Sequence, residues 1–377
     1  MSWETVELGN LCEVLDNRRK PITKCDRIEG EFPYYGATGI VDYVDNYIFD
    51  EKLVLVGEDG AKWESGEKTA FIVNGKYWVN NHAHVIKPKR DLLLDEWLVY
   101  YFFYKDLKEF ITGLTVPKLN MGQLKIIPIP LPPLQIQQKI VVKLDKIFAE
   151  IDKATAAIEA NVKNVEALFQ SYLNNLFVNN TKKNGLLKLS DLCEFKQGIQ
   201  VDVSKQSEKL SNGKVRFLRI VDFTAGNETP RYIDNPGGQY FVRNNDVSLV
   251  RYGASTGFVC KGLEGVIANN LFQVKPKNNS ITKEYLFWYL YSPKFQNFIK
   301  GKMSGAAMPA INFGIINDFE MNLLPIEEQE LIVKNCESFN SQKKKLISIY
   351  QSKVSNFEMY RQFILKQAFN GELVKAA

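Results

Sequence analysis

The sequence predicts an α+β protein: two duplicated mixed α/β domains separated by two long helices that form an antiparallel coiled coil, with pseudo-two-fold symmetry. Three observations predict it. The second half repeats the first at an offset of about 190 residues. Each repeat ends in a long stretch free of Gly and Pro, with apolar residues in a heptad pattern. The chain has 377 residues, and single cores rarely grow past roughly 250–300. The expected divisions are a first globular domain at 1–134, a central helical spacer at 135–185, a second globular domain at 186–326 and a C-terminal helical spacer at 327–377.

The repeat is legible in short strings. Leu8-Gly-Asn-Leu-Cys-Glu-Val14 matches Leu189-Ser-Asp-Leu-Cys-Glu-Phe195, and Gly60-Ala61 matches Gly253-Ala254. Asn80-Asn81 with Lys87-Pro88-Lys89 matches Asn269-Asn270 with Lys275-Pro276-Lys277. Pro117–Val141 aligns without a gap on Pro309–Val333 with eight identities, among them Asn120/Asn312, Gly122/Gly314, Pro133/Pro325 and Gln137/Gln329. Residues 15–50 and 196–245 share no pattern. The two copies therefore share a frame and differ in an insert.

The spacers are read from periodicity. After Pro133 the apolar positions Leu144, Ile147, Ile151, Ala154, Ile158, Val165, Leu168 and Tyr172 alternate in steps of three and four, broken at Asn161. After Pro325 the seam reads Cys336, Phe339, Lys343, Leu346, Tyr350, Lys353, Phe357, Tyr360 and Ile364, and Asn370-Gly371 ends it. Each helix would span roughly 60 Å at 1.5 Å per residue. Neither is apolar enough all round to be buried alone. Pairing with the other helix is the simplest solution, and packing of each on its own domain is the alternative.

Between these helices the halves mix strands and short helices. Lys52–Val56 and Asp246–Arg251 read as strands before a Gly-Ala turn. Thr69–Val73 and Tyr77–Val79 flank Asn74-Gly75 and read as a hairpin. Asp95–Thr112 and Lys283–Lys300 read as aromatic-rich helices, followed by small-residue loops at 113–117 and 301–309 where a backbone can approach a ligand closely.

Charge is unevenly spread. Residues 1–134 carry a net −4 and residues 186–326 a net +5. A nucleic-acid binder carries a basic face; the second half suits that and the first does not. No apolar run approaches a membrane span, and the opening lacks a signal-peptide pattern. Five cysteines, odd in number, widely spaced and without a CxxC pair, fit a reduced cytoplasmic protein.

A search for catalytic motifs leaves little. The chain lacks the Asn/Asp-Pro-Pro-aromatic loop and Gly-rich cofactor loop of an adenine methyltransferase, and it has no GxxxxGK[ST]. Asp234-Asn235-Pro236-Gly237 reads as a turn. Asp59-Gly-Ala-Lys62 lacks an upstream acidic partner for nuclease chemistry. His82 and His84 have strand spacing that suits metal ligands, but their counterparts Leu271 and Gln273 do not bind metal, and structural packing is the simpler reading. No catalytic, cofactor or metal site is expected, and a binding module is the better class.

The ordered motifs carry a resemblance. They are Pro117-Lys-Leu-Asn120, Leu131-Pro-Pro-Leu-Gln-Ile-Gln137, Pro309-Ala-Ile-Asn312 and Leu324-Pro-Ile-Glu-Glu-Gln329, with the ending Leu365-Lys-Gln-Ala-Phe-Asn-Gly-Glu-Leu373. Their order and duplication resemble the specificity subunits of type I restriction-modification enzymes over essentially the whole chain. Phe32-Pro-Tyr-Tyr-Gly-Ala-Thr-Gly39, followed by Tyr43 and Tyr47, is similar to one subclass of that family's recognition domains. One departure is Leu324-Pro325-Ile326, which lacks the second Pro of Leu131-Pro-Pro-Leu134.

The resemblance implies a non-catalytic subunit whose two target-recognition domains each read half of a bipartite, asymmetric double-stranded DNA target. It also implies that the helices set the gap and dock two adenine methyltransferase subunits, with motor-nuclease subunits in the full complex. S-adenosylmethionine, ATP and Mg then belong to the partners. A type IIB specificity subunit and a DNA-free scaffolding protein are the alternatives. Expected DNA-contacting residues are Arg18, Arg19, Lys20, Tyr35, Lys62 and Lys118 in the first half and Arg216, Arg219, Arg243, Arg251 and Lys302 in the second. They lie in the unmatched inserts or near the Gly-Ala turns and small-residue loops.

Overall fold

The computed structural model describes residues 3–113, 115–179, 186–303 and 310–373. The chain forms two compact units, one of residues 1–159 with 350–377, the other of residues 160–349. Both boundaries fall inside the long helices, Leu134–Asn179 and Ile326–Phe369.

The first unit holds two four-stranded sheets. One is antiparallel, in the order Cys12–Val14, Ala83–Pro88, Leu53–Gly57, Ala70–Val73. The other runs Gly39–Val44, Phe32–Gly36, Lys76–Val79, Phe49–Asp50, with a parallel pairing of Tyr34 and Tyr35 to Trp78 and Val79. The second unit repeats this plan. Its antiparallel sheet is Cys193–Gln197, Leu271–Pro276, Val247–Val250, Val259–Cys260. Its other sheet is Arg231–Asp234, Lys214–Leu218, Gly265–Ile267, Phe241–Val242, again with one parallel pairing in the middle. The unmatched inserts at 15–50 and 196–245 thus supply strands in the same order.

Each half is closed by a two-stranded ribbon. Thr5–Glu7 pairs with Pro128–Pro130, and Leu186–Lys188 pairs with Glu320–Asn322. Just before each ribbon's second strand sits a short helix capped by the repeated asparagine. Asn120 accepts from the Gln123 backbone N–H at 3.1 Å, and Asn312 from that of Ile315 at 2.9 Å.

The aromatic helices Asp95–Tyr104 and Lys283–Tyr291 lie beneath the antiparallel sheets. The second was expected to run on to Lys300. It breaks at Ser292 because Pro293 follows and starts a new helix, Pro293–Met303. That helix takes in residues 301–303 of the expected loop, while residues 304–309 and 114 lie outside the described residues. The expected hairpin at Asn74-Gly75 does not form. Gly75, at φ +82°, passes the chain from one sheet to the other, so Ala70–Val73 and Lys76–Val79 are neighbours in sequence only.

Repeated glutamines fasten the long helices to these cores. Gln137 has no exposed surface. Its amide oxygen accepts from the Leu94 N–H at 3.0 Å, and its amide nitrogen donates to the Leu92 and Pro132 carbonyls at 2.8 and 2.9 Å. Gln329, also fully buried, accepts from Thr282 N–H at 2.9 Å and donates to the Ser280 and Leu324 carbonyls, each at 2.8 Å.

Each core also takes the far end of the other long helix. In the first unit Phe369 packs against Trp97, Tyr101 and Tyr104 at 4.7, 5.2 and 5.2 Å between ring centroids. In the second unit Phe177 packs against Tyr285 and Tyr289 at 5.7 and 4.7 Å.

The helices pair antiparallel within each unit. In the first, Lys143 donates to the Leu373 carbonyl at 3.1 Å and Arg361 pairs with Asp152. In the second, Lys343 stands 4.4 Å over the Phe169 ring, and Tyr172 meets Phe339 at 4.8 Å. The expected seam shifts where the domain cores compete for it. Leu168 is exposed and Phe169 is buried, because Phe169 reaches Trp288 of the aromatic helix at 5.9 Å. Tyr360 is likewise exposed, and Arg361 turns inward over Phe148 at 5.1 Å.

These contacts set two expectations for urea unfolding followed by tryptophan fluorescence. Phe369→Ala, which empties a filled aromatic pocket, lowers stability by about 3–5 kcal/mol. Gln137→Leu leaves a buried N–H and two carbonyls unpaired and costs at least about 2 kcal/mol. An unchanged midpoint for Gln137→Leu would show that its hydrogen bonds do not hold the helix start in place.

Candidate nucleic-acid interface

In the first half, the strand Leu53–Gly57 ends in the turn Glu58-Asp59-Gly60-Ala61. A Cβ on Gly57 would lie 2.4 Å from that of Ala61, so the turn folds back only over glycine. The Leu119 N–H donates to the Glu58 carbonyl at 2.8 Å, and the Glu58 N–H to the His82 carbonyl at 2.9 Å. These bonds bring three separate segments to one place.

The side chains there are densely paired. Glu58, only 7% exposed, accepts from Arg19 and from Lys118 at 2.8 Å. Arg19 also reaches Asp16 at 3.1 Å and the Ala83 carbonyl at 2.8 Å. His84 is fully buried: its Nε2 donates to the Leu119 carbonyl at 2.7 Å and its Nδ1 lies 2.6 Å from Asp16. Burial pushes the Asp16 carboxyl up, but the His84 hydrogen bond and charge, the Val85 N–H and Arg19 outweigh it and hold it below its ordinary value. Exposed His82 contacts Asp59 instead, so the two histidines do not share a ligand position. Asp16, Glu58 and His84 lie close enough to hold a cation. The Arg19 guanidinium already bridges both carboxylates, and Lys118 takes the other Glu58 oxygen, so the protein's own cations fill that donor set.

The second half builds the same turn with other charges. Ile311 N–H donates to the Arg251 carbonyl at 2.7 Å, as Leu119 does to Glu58, so Arg251 stands where the first half has Glu58. Arg251 has no ion pair among the described residues. Tyr252 contacts the Asn269 side chain at 3.4 Å, and the buried Asn270 amide oxygen has no hydrogen-bond partner among the described residues. Gly198 lies flat on the neighbouring strand: a Cβ there would be 2.2 Å from the Ile267 carbonyl oxygen.

The sequence-selected cations fall into two groups. Among those already paired, Arg18 contacts Glu51 at 3.1 Å and covers Phe49. Lys62 pairs with Glu67 at 3.3 Å. Arg219 and Arg216 share the buried Asp222, at 3.0 and 3.8 Å. Lys20, Arg243 and Arg251 have no side-chain ion pair among the described residues, and Lys302 lies 6.0 Å over Phe298. Tyr35 is half-buried against Phe71 and Tyr77, and burial raises its hydroxyl. The acids Asp16, Glu58 and Asp222 escaped sequence reasoning. Asp16 and Asp222 leave a local sign, three residues before Arg19 and three after Arg219; Glu58 is distant in sequence from both Arg19 and Lys118.

A family model described as the type I restriction modification DNA specificity domain matches residues 1–164 and again 182–351. The chain is 25% identical over 374 residues to a putative type I restriction enzyme specificity subunit of Haemophilus influenzae, covering 95% of this chain and 94% of that one. It is 21% identical to the EcoDI specificity subunit of Escherichia coli, covering 99% and 89%. A solved chain of a type I restriction-modification system shares the fold with a TM-score of 0.76 at 20% identity, covering 99% and 98%. The HsdS subunit of Thermoanaerobacter tengcongensis does so with a TM-score of 0.54 at 20% identity, covering 99% and 97%. No helix among the described residues is long and apolar enough to cross a membrane.

The paired network makes the first half sensitive to acid. The Asp16 carboxyl is depressed in the folded state, so its contribution is complete above its unfolded value of about 3.9 and disappears as pH falls below that. Asp16→Asn therefore lowers the urea midpoint at about pH 6, and the difference from the parent chain shrinks below about pH 4. A difference independent of pH would remove ionised Asp16 from the account.

Proposed function

The chain belongs to the type I restriction modification DNA specificity family, and we propose that it reads a bipartite, asymmetric DNA target as the recognition subunit of such a system. One observation carries the asymmetry. A single backbone turn, held by the same hydrogen bond in both halves, presents Glu58 with its cations in one and, in the other, Arg251 with no ion pair among the described residues. Base edges are read by donors and acceptors placed on a fixed frame, while phosphate contacts set register. Two like frames with unlike side chains suit two different half-sites.

On this reading the partners are two methyltransferase subunits, joined by motor-nuclease subunits in the full complex, in the cytoplasm. S-adenosylmethionine, ATP and Mg act on those partners. Lys20, Arg243 and Arg251 are the favoured DNA contacts of the sequence-selected set, because a cation without an internal acid is free to neutralise a phosphate or meet a guanine edge. Arg19 and Lys118 serve the fold of the turn instead.

Mapping methylated adenines in a host carrying this chain with its methyltransferase is expected to give a split motif whose two parts differ. A palindromic motif would overturn the asymmetric reading. The helices, which cross from one compact unit to the other, are proposed as the spacer. Deleting Ala154–Ala160 together with Leu346–Ser352 removes one heptad from both and keeps the seam in phase. The expected result, on a library of sites with every gap length, is loss of methylation at the parental gap or a shift of about three base pairs, from roughly 10 Å of lost helix rise. A folded variant that still prefers the parental gap would show that the helices are not the spacer.

A further inference from the structure

Beside the aromatic helix of the second half lies an open concavity of about 560 Å³. Lys196, Arg243, Lys275 and Lys283 line it, with Asp246 as the one acid. Lys283 is held by Asp246 at 2.6 Å. Lys196, Arg243 and Lys275 form no ion pair among the described residues, so the concavity keeps a surplus of positive charge. Gln273 also lines it. This residue is 7% exposed, and its amide has no hydrogen-bond partner among the described residues. The amide opens on the concavity with no internal partner to hold it, so its N–H groups can donate to an anionic oxygen bound among these cations.

The repeated frame shows that this charge is not a by-product of the fold. Lys87 and Lys275 hold equivalent places, each just before the proline that pairs with Cys12 or Cys193. Lys87 is neutralised by Glu51 at 2.7 Å. Asp95 and Lys283 are the first residues of equivalent helices, each preceded by the backbone N–H that Gln137 or Gln329 accepts. Asp95 pairs with Lys52 at 3.2 Å and Arg90 at 3.1 Å. The first half thus fills this place with internal ion pairs; the second reverses one charge, at Lys283, which Asp246 meets, and leaves Lys196, Arg243 and Lys275 without an ion pair among the described residues.

We propose that this concavity is a phosphate site that anchors the DNA backbone beside the second half-site. It is open rather than enclosed, and an adjoining hollow shares Lys275 and Lys283 and adds Lys277 with one acid, Glu284, which pairs with Lys261 at 3.5 Å. A run of cations across two hollows matches a polymer of phosphates better than one small anion. The inference rests on the DNA-reading function proposed above. It adds a contact that fixes position without reading bases.

The test uses the chain bound to its methyltransferase subunits and titrates DNA at several salt concentrations. One duplex carries the mapped target and the other is unrelated. Lys196→Gln combined with Lys275→Gln removes two exposed cations that hold nothing inside the protein. The expected result is a fall of about 2 in the slope of log affinity against log salt. Both duplexes should weaken by a similar factor, with sequence preference kept. Lys87→Gln in the first half should leave the slope unchanged. A parental slope in the double variant would overturn the site. Loss of the methyltransferase subunits at a parental slope would also overturn it, by assigning the concavity to an acidic protein surface. Failure of the parental complex to prefer its target would instead overturn the function on which the inference rests.

Discussion

Gln137 and Gln329 each use one buried amide to tie three backbone groups together, and the arrangement of both halves follows from those ties. Each amide joins the first turn of a long helix to the segment entering an aromatic helix and to the proline-rich stretch before the long helix itself. A buried amide has no water to fall back on, so its three partners must arrive together. This fixes where the long helix leaves each domain and holds the aromatic helix under the antiparallel sheet. The Gly-Ala turn lies at the other end of that sheet's central strand.

The second constraint is that neither globular half is complete without both long helices. The start of one helix and the end of the other fill each core, with Phe369 set among Trp97, Tyr101 and Tyr104 and Phe177 against Tyr285 and Tyr289. A scaffold closed this way tolerates change at its sheets, because the aromatic contacts and the glutamine ties involve only the frame. The inserts are then free to alter charge and side-chain shape. Charge also changes at matched positions of the frame: Arg251 in place of Glu58 and Lys283 in place of Asp95 both move the second half toward positive charge.

The frame was legible because it repeats. Asn120/Asn312 and Gln137/Gln329 appear as bare identities in the sequence and prove to be helix caps and backbone clamps. The heptad reading found both long helices but set Leu168 and Tyr360 in the seam, because periodicity does not register a competing aromatic core. The common order of the second sheets was not legible: residues 15–50 and 196–245 share strand positions without sharing side chains. The site was the least legible part. A basic residue looks alike in sequence whether its acid lies three residues away, as Asp222 from Arg219, or 39 away, as Glu58 from Arg19.

The central claim is that two like scaffolds read two half-sites independently. Its most direct test exchanges residues 193–276, which carry both sheets of the second half, for the aligned segment of the Haemophilus influenzae relative, leaving the glutamines, aromatic helices and long helices in place. Methylated adenines are then mapped with the same methyltransferase. The account predicts that one half of the motif changes while the other half and the gap stay as they were. A change in both halves, or in neither, would contradict it.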